Sequence, residues 1–153
     1  MKIDGREVKD DFPEDILVLP RMDHDIVFRA RGVPDMEEFK KLVPEPMCPT
    51  LLKKGRKVND SENPDYLKQV ADYGEKRFAY LVLKTLEPTN IEWDTVDMGK
   101  PSTWKNWTEE LRKAGLSEPE CNRIIALVLS ANSLNEQRMK EAREAFLLGL
   151  PKE

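Results

Sequence analysis

The sequence predicts a mainly α (α+β) fold: a helical domain of about four to five helices with a small N-terminal β-hairpin. Three observations lead there. From Pro64 onward, apolar residues recur at helical spacing between recognisable start and stop signals. Seven of the eleven prolines (Pro13, Pro20, Pro34, Pro44, Pro46, Pro49, Pro64) fall in the first 64 residues, which predicts an irregular N-terminal half. Two short apolar runs, Ile16–Leu19 and Ile26–Ala30, flank a polar turn.

Residues 1–15 carry six acids against three bases and read as a loose acidic arm ahead of a single domain over residues 16–150. Ile16-Leu17-Val18-Leu19 is an apolar strand closed by Pro20. In the next run Ile26, Phe28 and Ala30 alternate with Val27, Arg29 and Arg31, the period of a strand with one face buried. A hairpin turning across residues 20–25 follows, and such a pair must lie on helices or on a partner to be stable. After Gly32-Val33-Pro34, Asp35 reads as an N-cap, with Glu38 completing a capping-box-like pair for a short helix over roughly 36–42. Hairpin and short helix occupy residues 16–43, and a Pro-rich basic loop occupies residues 44–63.

The helical core spans residues 64–150. Asn63 caps and Pro64 opens its longest helix, in which Leu67, Val70, Ala71, Gly74, Phe78, Leu81, Val82 and Thr85 form one stripe. Tyr80, Leu83 and Leu86 add a second apolar side, so the helix is expected to be buried on more than one flank. Ile91, Trp93 and Val96 then punctuate an acidic connector, read as a short strand or extended segment. Trp104, Trp107, Leu111 and Ala114 mark one face of the next helix.

Its end is unusually well specified. Gly115 suits the left-handed position after a C-cap at Ala114, and Leu116 would complete a Schellman ending against Leu111. The same Leu116 precedes Ser117, which with Glu120 forms a capping box for a helix burying Cys121, Ile124, Ile125, Leu127 and Val128. Asn132 is expected to end that helix in a left-handed conformation. Leu134 is expected to staple to Met139 across an Asn135 N-cap, and the last helix to bury Met139, Ala142, Ala145 and Phe146 before Gly149 and Pro151 stop it.

The chemistry is sparse. A net charge of −4 gives no reason to expect nucleic-acid binding by the surface as a whole, and no apolar run suggests a membrane span. Cys48 and Cys121 lack zinc spacing and read as free thiols of a reducing compartment. His24, in Asp23-His24-Asp25, has no second histidine to share a metal and reads as a turn residue. No catalytic residue, metal ligand or cofactor-binding residue is assigned, and no cofactor is expected.

Two features are candidates for binding protein. Lys53, Lys54, Arg56 and Lys57 form a basic cluster suited to an acidic partner, with the arm at 1–15 as an attractive partner within the chain. Trp93 lies between Glu92 and Asp94 and reads equally as an interface anchor or as core, whereas Trp104 and Trp107 lie on the apolar stripe and read as core.

The order of elements resembles a known family. Ile26-Val27-Phe28-Arg29-Ala30-Arg31, the short Pro-bounded helix, the Pro-rich loop and the Tyr66–Leu86 helix come first. Glu92-Trp93-Asp94-Thr95-Val96, Pro101-Ser102-Thr103-Trp104, the Ala114–Glu120 run and Ala131-Asn132-Ser133-Leu134-Asn135-Glu136 follow. Together, over residues 16–148, they are similar to tail assembly chaperones of long-tailed bacteriophages. The resemblance implies a non-enzymatic protein of the host cell cytoplasm that binds tape measure and tail tube proteins and assists tail tube polymerisation. Members of that family often occur also as a longer, frameshifted product. The alternative is a structural virion component, a minor tail or connector subunit built into the particle. Neither nucleic acid nor membrane is an expected partner, and self-association as a homo-oligomer is left open.

Overall fold

The structure is a computed structural model and describes residues 1–149. The expected domain limit at residue 150 and the expected helix stop at Pro151 lie outside the described residues.

Among the described residues, three separate two-stranded antiparallel sheets and five α-helices are distributed along the chain. The first sheet, β1 (Lys2–Ile3) with β2 (Arg6–Glu7), lies inside the expected loose arm. Asp4 and Gly5 both take positive φ (51° and 77°), the conformation of a tight hairpin turn, and Asp-Gly is among the strongest signals for it.

The expected hairpin is present as β3 (Asp15–Leu19) and β4 (Ile26–Ala30), paired from Asp15 with Ala30 to Leu19 with Ile26. Its alternation is as read: Leu19, Phe28 and Ala30 are buried, while Ile16, Val18 and Val27 face outward. The outer edge of β4 is closed by the last residue of the long helix and the turn that follows it. The Thr89 hydroxyl donates to the Arg29 carbonyl (2.7 Å) and accepts from the Arg29 N–H (2.8 Å), and the Arg31 N–H donates to the Thr85 carbonyl (3.0 Å).

Helix α1 (Glu37–Leu42) buries Phe39. Met36, not Asp35, occupies its N-cap position, and Asp35 instead accepts from the Glu37 N–H through its side chain (3.1 Å). The expected loop at 44–63 contains a third hairpin, β5 (Thr50–Lys53) with β6 (Arg56–Asn59). Lys54 (φ 52°) and Gly55 (φ 77°) make its two-residue turn.

Helix α2 (Pro64–Thr85) starts as expected, with the Asn63 side chain accepting from the N–H groups of Asp65 and Tyr66. Its burial is uneven. Ala79, Tyr80, Val82, Leu83 and Thr85 are buried, whereas Leu67, Val70, Ala71, Gly74 and Phe78 are exposed. The expectation of a helix enclosed on several flanks therefore holds only for its C-terminal third. Along the preceding turns only one flank is covered, by Phe39 and residues 43–47 beside Gln69, Tyr73 and Lys76, and the opposite flank stays open.

Around that enclosed third the aromatic rings meet at tilted angles. Tyr80 lies 5.3 Å from Trp104 and 5.5 Å from Phe39, and Phe39 lies 5.3 Å from Tyr73, centroid to centroid. Trp104 sits in a 3₁₀ turn (Pro101–Asn106) that leads into α3 (Trp107–Lys113), so the expected helix start at Trp104 moves three residues on. Trp107 and Leu111 are buried as read, while Ala114 is exposed.

The Schellman ending is formed: the Leu116 N–H donates to the Leu111 carbonyl (3.1 Å) and the Gly115 N–H to the Arg112 carbonyl (3.1 Å). The capping box of α4 (Glu118–Ala131) is also formed, with Ser117 Oγ accepting from the Glu120 N–H and Glu120 accepting from the Ser117 N–H. Asn132 does not adopt the expected left-handed conformation (φ −95°, ψ 0°). It serves a long-range role instead: its side chain accepts from the Val33 N–H and donates to Thr85 Oγ1 and the Val128 carbonyl, each at 2.8 Å. Beside this junction, a Cβ on Gly32 would come within 2.5 Å of the Ala131 carbonyl oxygen.

Helix α5 (Glu136–Leu147) is capped by Asn135 as expected, but none of its residues is buried. Leu134 and Met139 are exposed, so the expected staple does not form a sheltered contact, and Phe146 is exposed as well. The reason is composition: Glu136, Gln137, Arg138, Lys140, Glu141, Arg143 and Glu144 leave too narrow an apolar face to compete for the core.

Candidate protein-binding surfaces

Trp93 lies in the connector between α2 and the Trp104 turn. The connector forms no strand; Ile91, Trp93 and Val96 are half-buried against the core. One carboxylate holds it in place. Glu110, on α3, accepts from the N–H of Asp94 (2.6 Å), the N–H and hydroxyl of Thr95 (3.1 and 2.7 Å) and the N–H of Val96 (3.2 Å). Burial pushes the Glu110 carboxyl up, but these donors together outweigh it and hold the group below the usual range.

Trp93 borders a groove of about 300 Å³ with Leu42, Tyr80, Lys84 and Ile91. Lys84 Nζ is committed to Glu87 (3.0 Å) and approaches Glu38 (3.9 Å), and the Glu87 hydrogen bond pushes the ammonium group's pKa up. Burial likewise pushes the Tyr80 phenol up. The groove thus presents an aromatic edge and a compensated charge.

The basic cluster is placed at the tip of the third hairpin. Lys53 pairs with Arg56 across the ladder, Lys54 occupies the turn, and Lys57 lies opposite Leu52, so the charges spread over both faces. All four are exposed. The acidic arm is not their partner: Glu14 approaches Arg29 (3.8 Å) and Asp15 pairs with Arg138 of α5. Nor does the fold bring the cluster to Trp93. The hairpin leads into the N-terminal end of α2 and Trp93 packs near the other end, and this helix is about 33 Å long at ~1.5 Å per residue.

A further surface includes Met139 and Phe146, two side chains expected in the core. Leu134 (86% exposed), Met139, Phe146 (82% exposed), Leu147 and Leu148 are exposed on and beside α5. Beside them is a groove of about 440 Å³ whose walls include Phe12, Val33, Ala131, Leu134, Met139 and Arg138. The helical period of α5 was legible; what distinguishes it from α4 is its seven polar residues in twelve, the signal that marks its apolar face as uncovered.

The remaining reactive groups are accounted for locally. His24 is exposed, with Nδ1 at 2.8 Å from its neighbour Asp23. Cys48 and Cys121 are free thiols, and burial pushes the Cys121 thiol up, away from the reactive thiolate. Among the described residues no cluster of His, Cys, Asp and Glu has the makings of a metal site, and no helix is long and apolar enough to cross a membrane.

No protein family, curated protein or solved structure matches this chain. The candidate surfaces therefore rest on geometry and chemistry alone.

Proposed function

We propose that the chain is a phage tail assembly chaperone: a non-enzymatic protein of the host cell cytoplasm that binds the tape measure protein and assists tail tube polymerisation. The observation that carries the reading is the uncovered apolar face of α5, adjoining an apolar groove. Contiguous exposed apolar surface marks interaction sites, and an amphipathic helix beside a groove suits an apolar, helical client. The charged remainder of the surface would keep such a complex in solution.

Co-expression with the tape measure protein encoded in the same genome tests this. The two should co-purify, and Leu134→Ser with Phe146→Ser should lower capture by about ten-fold or more while thermal stability stays near wild type, because both side chains are exposed. Failure of the wild-type chain to retain the tape measure protein would reject the reading.

The alternative, a structural virion component, is favoured by one observation. The hairpins at Lys2–Glu7 and Thr50–Asn59 are exposed along almost their whole length, surface that neighbouring copies in a particle could cover. Mass spectrometry of purified particles separates the two: stoichiometric copies support the virion component, and absence supports the chaperone.

A further inference from the structure

The exposed part of α2 is patterned, not merely uncovered. Leu67, Ala71, Gly74 and Phe78 follow one another at intervals of four, three and four residues, the spacing of a two-helix seam. All four are exposed, Leu67 at 51% and Phe78 at 37%, and nothing lies within 4 Å of a Cβ built on Gly74. Lys68 and Glu75 flank the seam on one side, and neither takes part in an ion pair among the described residues. Glu75 also borders a shallow groove with Lys76 and Lys105. Val70 and Arg77 flank the other side.

We infer that this face of α2 pairs with the same face of a second copy of the chain, antiparallel, about a two-fold axis near residues 72–73. The seam is self-complementary in that arrangement alone. Antiparallel, Leu67 faces Phe78 of the other copy and Ala71 faces Gly74, so large meets large at the ends and small meets small at the centre, where the helix axes approach. On the flank, Lys68 meets Glu75 of the other copy, twice by symmetry. A parallel pair would stack Gly74 on Gly74 and Phe78 on Phe78, and would leave Lys68 and Glu75 without each other. The overlap is about twelve residues, or roughly 18 Å at ~1.5 Å per residue, which is small for a stable interface. The dimer is accordingly weak, with a dissociation constant on the order of ten to a few hundred micromolar.

Sedimentation equilibrium of the full chain at low salt, with circular dichroism and melting of each variant as a fold control, tests the pairing. Wild type should dimerise with rising concentration. Lys68→Glu and Glu75→Lys should each weaken dimerisation about ten-fold, because each replaces two attractions by two repulsions, and the double swap should recover most of the loss. Gly74→Glu, which has open space in the monomer, should abolish association with the fold intact. A wild-type chain that stays monomeric up to about 1 mM, or a double swap no better than the single changes, would overturn the inference. The α5 variants leave this equilibrium unchanged, so its failure is distinguishable from failure of the chaperone reading.

Discussion

Replacing Glu110 by Gln is the sharpest probe of how the Trp93 segment is held. The carboxylate takes one hydrogen bond on Oε1, from Asp94, and three on Oε2, from Thr95 and Val96. Glutamine has one acceptor oxygen. Placed at Oε2 it keeps three of the four, but its amide group then points at the Asp94 N–H. One hydrogen bond to a charged acceptor contributes about 1.5–3 kcal/mol, and the other three lose charge assistance that roughly doubles such bonds. Water reaches the exposed Asp94 and Thr95 and offsets part of this, leaving a net loss of about 2 kcal/mol. For a domain of this size that is a fall in Tm of about 4–8 °C. The loss should be read by urea unfolding at several pH values. Because the folded pKa of Glu110 is depressed, its contribution is complete above the ordinary glutamate value of about 4.3 and is lost as pH falls through the folded value. Wild type and variant should therefore differ at pH 7 and converge in acid. A difference below about 0.5 kcal/mol at neutral pH, or one that persists in acid, would show that the carboxylate is not what holds the connector.

Three other expectations are independent of it. Glu120 is hydrogen-bonded first by Arg21, through two bonds of 2.8 and 3.1 Å, and then by the Ser117 N–H, which together hold its pKa at about 2. A carboxyl-carbon NMR titration should find that midpoint, and a value near 4 would contradict the pairing; the stability it provides is present above about pH 4.3 and is lost as pH falls toward the folded value. Gly32→Ala should cost roughly 2–3 kcal/mol in denaturant unfolding, since the new Cβ would lie 2.5 Å from a backbone oxygen that cannot rotate away. Trp104→Ala, at a fully buried site, should cost about 3–5 kcal/mol, whereas Trp93→Ala should cost clearly less; equal losses would place Trp93 in the core proper.

What was legible in the sequence was whatever depends on a few adjacent residues. The Leu111–Glu120 junction could be read bond by bond, because a glycine, a leucine and a capping serine leave the backbone little choice. The β3–β4 hairpin followed from two apolar runs flanking a polar turn, and its buried face from the alternation in the second run. The hairpin at 50–59 is faint in the sequence because Lys54-Gly55 is a weaker turn signal than Asn-Gly and sits among prolines and charges that read as loop. The hairpin at 2–7 is announced by Asp4-Gly5, but its two-residue strands are too short to show an alternation in an acidic, polar stretch. Burial was less legible than helicity. The α2 stripe is continuous over its length, yet nothing in its period says that the neighbouring elements cover only the C-terminal third. The period is equally silent on distance: Trp93 and the basic cluster, two separate candidates, stand at opposite ends of that helix.

The Asn132 junction bears on the order in which this chain folds. The caps of α3 and α4 are satisfied by residues no more than five positions apart, so they can form early, at little entropic cost. Asn132 reaches Thr85, 47 residues away, and Val33, 99 residues away, and so closes two large loops at once. Contacts of that separation are rewarded only after most of the chain has been ordered. Disrupting Asn132 should therefore act chiefly on the unfolding rate, while disrupting Ser117 should act more on folding, making the junction the latch that closes last and opens first.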